Sequence, residues 1–166
     1  MSALFANYTA VSKRLGLAFE DGRIHGMLDG IALQMSFGTY AVHVAALLPR
    51  TAPLDLSIAT KTLIGKLGDL FGGHSQRIGD PEMDKVFSVK ASDVDRVAAL
   101  LGPEARRALL DLEKEGLHPS VDAHSIHLRR FSASAIDDSQ EKIERDFREA
   151  ARLARVVSDA FGVAGR

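Results

Sequence analysis

The sequence predicts an α+β fold in which a mostly antiparallel sheet packs on helices. Three features predict it: two tight-turn signals within residues 23–47, short alternating segments in the second half, and a long amphipathic pattern near the C-terminal end. With 166 residues, of which 46% are hydrophobic, the chain can bury one core of its own. We therefore expect a single α+β domain over residues 1–166.

The first half contains a predicted three-stranded meander over residues 23–47. Asp29-Gly30 is a two-residue hairpin signal, because glycine tolerates the positive φ that a type I′ turn needs. Gly38-Thr39 predicts a second tight turn with glycine in the first position. With both turns in place, alternate residues of the three strands form one face that contains only apolar residues and glycine.

The same alignment brings three polar side chains together on the other face. His25, Gln34 and His43 are predicted to stand side by side across the three strands. Two imidazoles and an amide can orient a polar ligand, hold an anion or move a proton. These residues are the candidate ligand-binding site; the commoner alternative is a polar sheet face whose histidines bond to their neighbours. A metal site usually needs a third strong ligand, which Glu20 or Asp21 could supply only if the first strand folds back; neither a metal site nor a cofactor is predicted.

Shorter strand and helix patterns follow the meander. Residues 54–59 alternate and predict a further strand, which precedes a predicted helix over 61–71. Residues 86–90 predict another short strand, and two helical patterns follow it. A hairpin around residues 122–125 comes next. Pro119 predicts that the first strand of this hairpin lies at a sheet edge, because proline cannot donate a hydrogen bond to a neighbouring strand.

The last predicted element is a long amphipathic helix with Asp137 or Asp138 as its cap. Its apolar stripe follows a helical repeat: Ile143, Phe147, Ala150, Ala154, Val157 and Phe161. The opposite side is charged and carries a candidate partner-binding surface of four arginines: Arg145, Arg148, Arg152 and Arg155. A helix of this length needs a surface on which to bury its stripe.

Composition excludes several classes of function. The 21 basic and 22 acidic residues give a formal net charge of −1, whereas a protein that grips a phosphate backbone shows a basic excess. The absence of cysteine excludes disulfides, thiolate catalysis and cysteine-ligated metals. No window reaches the roughly 18 apolar residues of a membrane span, and no secretory pattern is present. We expect a cytoplasmic protein that does not bind nucleic acid.

An acidic cluster in the stretch IGDPEMD is a second candidate site. Asp80, Glu82 and Asp84 are close enough in sequence to bind a divalent cation. The spacing lacks the central glycine and the distant glutamate of a calcium loop. We therefore favour a tight turn in which Asp80 bonds its own backbone. The sequence has no phosphate-binding loop and no nucleophile elbow, and it shows no covalent catalyst.

Residues 78–112 resemble a segment of uncharacterised bacterial proteins. In those proteins a Gly-Asp-Pro-Glu-Phe-Asp run leads into a strand, a short acidic link and a helix that ends in Leu-Leu. Here the run reads GDPEMD, with Met83 in place of the aromatic residue. The resemblance implies a bacterial origin and no known activity.

The function that the sequence favours is a non-catalytic cytoplasmic interaction module, an adaptor or a self-associating domain that binds another protein or itself. The first alternative is a small-ligand-binding domain with an apolar cavity between the sheet and the C-terminal helix, where His25, Gln34 and His43 would orient a polar group. The second alternative is a metal-dependent hydrolase that uses the acidic cluster or the histidines. No catalytic residue is assigned.

Overall fold

The computed structural model describes residues 5–62 and 76–163. The strands are β1 (Ala18–Glu20), β2 (Arg23–Leu28), β3 (Ile31–Phe37), β4 (Ala41–Leu47), β5 (Leu56–Thr60), β6 (Phe87–Ala91), β7 (Pro119–Asp122) and β8 (Ser125–Phe131). They form one eight-stranded antiparallel sheet in the order β1-β2-β3-β4-β8-β7-β5-β6. The helices are α1 (Ala6–Leu15), α2 (Pro81–Val86), α3 (Val94–Leu100), α4 (Pro103–Lys114) and α5 (Gln140–Val163). The predicted α+β class, the antiparallel sheet and the long C-terminal helix are confirmed.

One side of the sheet carries the hydrophobic core. α5 lies across β3, β4 and β8, and every residue of its predicted apolar stripe is buried. α1 lies beside α5, and the fully buried Tyr8 stacks on Phe37 of β3 with ring centroids 4.0 Å apart. α4 packs against α5 and β7. Apolar side chains fill the space between most of α5 and the sheet, where the sequence alternative places a ligand cavity. A pocket of ≈ 570 Å³ opens where the C-terminal end of α5 meets the Asp29-Gly30 turn and Arg50.

The first predicted reversal of the meander is confirmed. Asp29 and Gly30 have φ values of 51° and 81°, as a turn with two positive-φ residues requires. The strands on either side pair as expected, with Leu28 opposite Ile31 and Ile24 opposite Met35.

The second predicted reversal is wrong by one residue. Phe37 lies opposite Val42, and the Gly38 N–H donates to the Ala41 carbonyl at 2.9 Å, which places the reversal at Thr39-Tyr40. The later turn adds this hydrogen-bonded pair to the ladder. Moving a turn by one residue shifts the strand register by two, so each side chain keeps its face and changes its neighbour.

The prediction of an edge strand at Pro119 is also wrong. β7 lies inside the sheet, between β8 and β5. Pro119 is the first residue of β7, and β5 pairs only with Ser120, Val121 and Asp122. The missing N–H therefore removes no bond from the β5 ladder, a position in which strands tolerate proline.

The cap predicted for the last helix is corrected as well. Ser139 precedes α5, and its hydroxyl accepts a hydrogen bond from the Lys142 N–H at 3.3 Å. Asp138 instead points inward and binds Arg130 at 2.8 Å, while Asp137 lies in a 3₁₀ turn. Most of the helix predicted over 61–71 lies outside the described residues.

Candidate functional site: the open face of the sheet

The sheet has a second face across β2, β3, β4 and β8 that α5 does not touch. Alternate residues of these strands are buried under the helices, and the residues between them are exposed or half-buried. We call this second side the open face; it consists of Arg23, His25, Met27, Ala32, Gln34, Ser36, Ala41, His43, Ala45, Leu47, Ser125, His127, Arg129 and Phe131.

All three predicted ligand-binding residues lie on the open face. His25 pairs with Gln34 as expected. Gln34 then pairs with Ala45, and His43 pairs with Ser36, because of the shifted turn. The structure therefore brings His25 and Gln34 together and places His43 one row away. All three point away from α5, so a cavity under that helix would have no polar anchor from this set.

His43 has a different partner, His127 of β8. Its Nε2 atom lies 2.9 Å from the Nδ1 atom of His127, and the two rings are nearly parallel, at 13°. The other nitrogen of His127, Nε2, lies 3.0 Å from the Ser125 hydroxyl and 3.4 Å from a carboxylate oxygen of Asp122. A chain of polar groups therefore runs from Asp122 through His127 to His43.

The charge state of this chain follows from its surroundings. Burial, the positive charge of Arg129 and the neighbouring His127 lower the pKa of His43 to about 4, so the ring is neutral at pH 7. Burial alone would raise the pKa of Asp122, but hydrogen bonds from the His124 N–H and from Ser125 lower it below its usual range. At neutral pH the His43–His127 pair can accept or donate hydrogen bonds, and His43 carries no charge.

The partnership of His43 with His127 was not predicted. His118, His124 and His127 are conspicuous in the sequence as H-x5-H-x2-H. His118 instead binds Glu113 at 3.0 Å, and His124 is exposed beyond the strand end. The pairing depends on β8 lying next to β4, and no local pattern of the sequence specifies that neighbour.

A shallow depression of ≈ 260 Å³ opens beside Gln34 on the open face. It is lined by Ala32, Leu33, Gln34, Ala45, Ala46 and Leu47. The small alanine side chains of β3 and β4 create it. A shallow hollow with one amide at its side suits a single side chain of a partner better than an enclosed ligand.

The four arginines of the predicted partner surface lie along the exposed side of α5. Arg148 binds Glu144 and Arg152 binds Glu149, each at 2.8 Å. Arg155 donates to the backbone carbonyl of Asp29. Arg145 lies at 3.8 Å from a carboxylate oxygen of Asp146. Their role in binding a partner stays a prediction.

The carboxylates of Asp80 and Asp84 in the acidic cluster accept hydrogen bonds from backbone N–H groups. The Asp80 carboxylate accepts hydrogen bonds from the Glu82 and Met83 N–H groups at the start of α2. The Asp84 carboxylate accepts from the Ile78 and Gly79 N–H groups at 2.8 Å and 3.1 Å. Within residues 5–62 and 76–163, no group of three or more histidine, aspartate or glutamate side chains is arranged to hold a metal ion.

Comparison with known proteins shows the fold. No family model and no curated protein matches the chain. The crystal structure of the mycobacterial trehalose monomycolate transport factor A, TtfA, superposes with a TM-score of 0.60 at 10% sequence identity. The match covers 96% of this chain and 95% of TtfA. The chain therefore has the same overall fold as TtfA.

Among the described helices, none has the length and apolar character that a membrane crossing needs.

Proposed function

We propose that this chain is a non-catalytic interaction module that binds another protein through the open face. One observation carries the proposal: β2, β3, β4 and β8 present a sheet face whose side chains are exposed or half-buried. Met27, Leu47 and Phe131 on this face are exposed by 60%, 59% and 41%. Exposed apolar side chains on a continuous face, with polar residues between them, are typical of protein interaction sites.

The alternatives have less support. The carboxylates that a hydrolase would need, Asp80 and Asp84, already accept backbone hydrogen bonds. His43 and His127 bond to each other and lie half-buried on the open face, outside the depression beside Gln34. TtfA, which has the same fold, is named a transport factor, and this designation agrees with a binding role.

The exposed arginines of α5 and the open face are both candidate surfaces for the partner, and we favour the open face. The arginines of α5 are largely engaged, since Arg148 and Arg152 form ion pairs within their own helix. The open face offers exposed apolar area at Met27 and Leu47 and a hollow beside Gln34. Apolar area removed from water supplies most of the free energy of protein association, which favours the open face.

Site-specific photo-crosslinking in cells of the source organism tests the proposal. A photoreactive amino acid replaces Gln34 or Ala45 on the open face, Arg152 on α5, or Arg107, an exposed residue of α4 that serves as the control. We expect one discrete crosslinked protein from positions 34 and 45 and none from position 107. Adding Leu47→Asp should abolish that crosslink.

A crosslink from position 152 alone would move the interface to α5. Absence of any crosslink from both open-face positions would overturn the proposal. Sedimentation equilibrium of the purified chain separates a foreign partner from a second copy: a self-associating module would form a dimer that Leu47→Asp dissociates.

A further inference from the structure

We infer that the partner of the open face presents a carboxylate to the arginines of a row of side chains at one end of that face. The inference rests on the proposed function and specifies the chemistry of the partner. The row crosses four strands in register: Arg23 pairs with Ser36, Ser36 with His43, and His43 with Arg129. Paired side chains on one face stand about 5 Å apart, so these four form a strip across the strands, the arginine row, with one arginine at each end and Ser36 and the neutral His43 between them.

No acidic side chain neutralises the arginine row within the described part of the chain. Glu20 of β1 lies opposite Arg23 of β2, but the Glu20 carboxylate lies 3.4 Å from Nε2 of His25. The Asp122 carboxylate accepts hydrogen bonds from the Ser125 hydroxyl and two backbone N–H groups. Neither Arg23 nor Arg129 has an ion pair among the residues described.

Covering the open face would make this unpaired charge costly. Arg129 is already half-buried, and a partner that lies over it removes the remaining water. A guanidinium buried without an acceptor is strongly unfavourable, whereas one paired with a carboxylate forms two parallel charge-assisted hydrogen bonds. The partner therefore needs an anionic acceptor above Arg129. A carboxylate satisfies this need with the planar geometry that arginine prefers.

The other end of the open face requires apolar contact. Met27 and Leu47 are the two most exposed apolar residues of this face, and each lies four residues along its strand from the arginine row. At about 3.4 Å per residue the two ends are about 13 Å apart. The hollow of ≈ 260 Å³ lies beside Leu47. The partner segment therefore carries a carboxylate and a large apolar side chain about 13 Å apart, four residues in an extended strand.

A second copy of the chain does not meet these requirements through its own open face. Two open faces stacked in the same direction would bring one arginine row against another. Stacked in opposite directions, they would place Arg129 over Met27 and Leu47. Both arrangements leave guanidinium groups buried without a carboxylate, which favours a segment of a different protein as the occupant.

An NMR titration of the ¹⁵N-labelled chain tests the inference with a synthetic peptide. The peptide has two glutamates at one end, three serines, and two leucines at the other end; the matched peptide has glutamines in place of glutamates. We expect the glutamate peptide to shift the amide signals of Arg23, Ser36, His43 and Arg129. Arg129→Gln or Arg23→Gln should weaken its binding by about tenfold or more, and Arg107→Gln should leave it unchanged.

Four results would overturn the inference: no shifts at millimolar peptide, equal binding of the glutamine peptide, shifts away from the open face, or full binding by both arginine variants. Vesicles of phosphatidylcholine and phosphatidylglycerol form a separate arm; binding to them through the same arginines, without peptide binding, would assign the row to lipid phosphate. A crosslinked partner that is insensitive to Arg129→Gln would refute the carboxylate while leaving the interaction module intact.

Discussion

Arg130 is a buried cation that joins β8 to the start of α5. Its guanidinium donates to the Asp146 carboxylate at 2.6–3.2 Å and to Asp138 at 2.8 Å, and all three residues are buried. Burial alone would lower the pKa of Arg130, but the hydrogen bonds and charges of the two aspartates raise it above its ordinary value. Burial raises the pKa of Asp146, and the hydrogen bonds and charge of Arg130 oppose that rise. Arg130 therefore offsets part of the cost of burying the two carboxyl groups.

Removing this cation should be severely destabilising. In Arg130→Ala, the buried Asp138 and Asp146 would lose their buried cation, and only the partly exposed Arg145, 3.8 Å from Asp146, would remain nearby; we expect the free energy of unfolding to fall by about 3 kcal/mol. Urea denaturation at pH 7 measures the change. Arg107→Ala, a change at an exposed position, should alter stability by no more than about 0.5 kcal/mol. A loss below about 1 kcal/mol in Arg130→Ala would show that water solvates the aspartates.

The neutral state of His43 should make stability depend on pH. Its pKa is about 4 in the folded chain and near 6.5 when exposed, so protons bind the unfolded chain more tightly. The stabilisation is complete above pH 6.5 and is lost as the pH falls from 6.5 to 4. Since His43 is only partly buried, the loss is on the order of 1–2 kcal/mol.

Comparison of variants at two pH values isolates this contribution. The difference in free energy of unfolding between pH 7.5 and pH 4.5 should shrink by that amount in His43→Gln. Gln34→Ala, a non-titrating change on the same face, should leave the difference unaltered. If the imidazole of His43 titrates above pH 6 in the NMR spectrum of the folded chain, the prediction is wrong.

At the scale of elements, the crossing of β2 over the segment after α1 depends on one glycine. Gly26 has a φ of 151°, which disfavours other residues, and a Cβ atom there would lie 2.9 Å from Leu17 Cδ2 and 3.5 Å from its Cα. Gly26→Ala should therefore lower the free energy of unfolding by about 1–2 kcal/mol. Gly38→Ala is the matched control, because a Cβ atom at Gly38 has no neighbour within 4 Å. Equal thermal stability of the two variants would refute this account.

The elements also show what a sequence can specify. Asp29-Gly30 fixes its turn because the conformation itself requires positive φ at both residues. The second reversal is ambiguous, since Gly38-Thr39 and Thr39-Tyr40 both give an alternating apolar face. The choice between them sets which residues of β3 and β4 become neighbours, and the alternating pattern is the same for both. For the same reason, the predicted register placed His43 beside Gln34, whereas the structure places it beside Ser36.

At the scale of the molecule, chain order does not reveal strand order. β4 pairs with β8 across a large separation in sequence, and β7 lies inside the sheet despite Pro119. Periodicity predicted the existence of most of these elements and the buried stripe of α5, because both depend on local alternation. The His43–His127 pair and the arginine row could not be predicted, because each requires β8 beside β4.

The layering of the molecule makes α5 indispensable. The helix covers β3, β4 and β8 on the core side, and its Ile143, Phe147 and Val157 are fully buried. A chain that ends at Asp138 would expose that side of the sheet in addition to the open face. It should lose cooperative unfolding and the dispersed amide spectrum of a folded domain, because a sheet with both faces in water has no core. The double variant Arg148→Ala, Arg152→Ala, which alters only the exposed side of α5, should keep both properties and lose at most about 1 kcal/mol. A truncated chain that retains a dispersed spectrum would mean that the strands are held together without α5, and that the helix is an accessory to the fold.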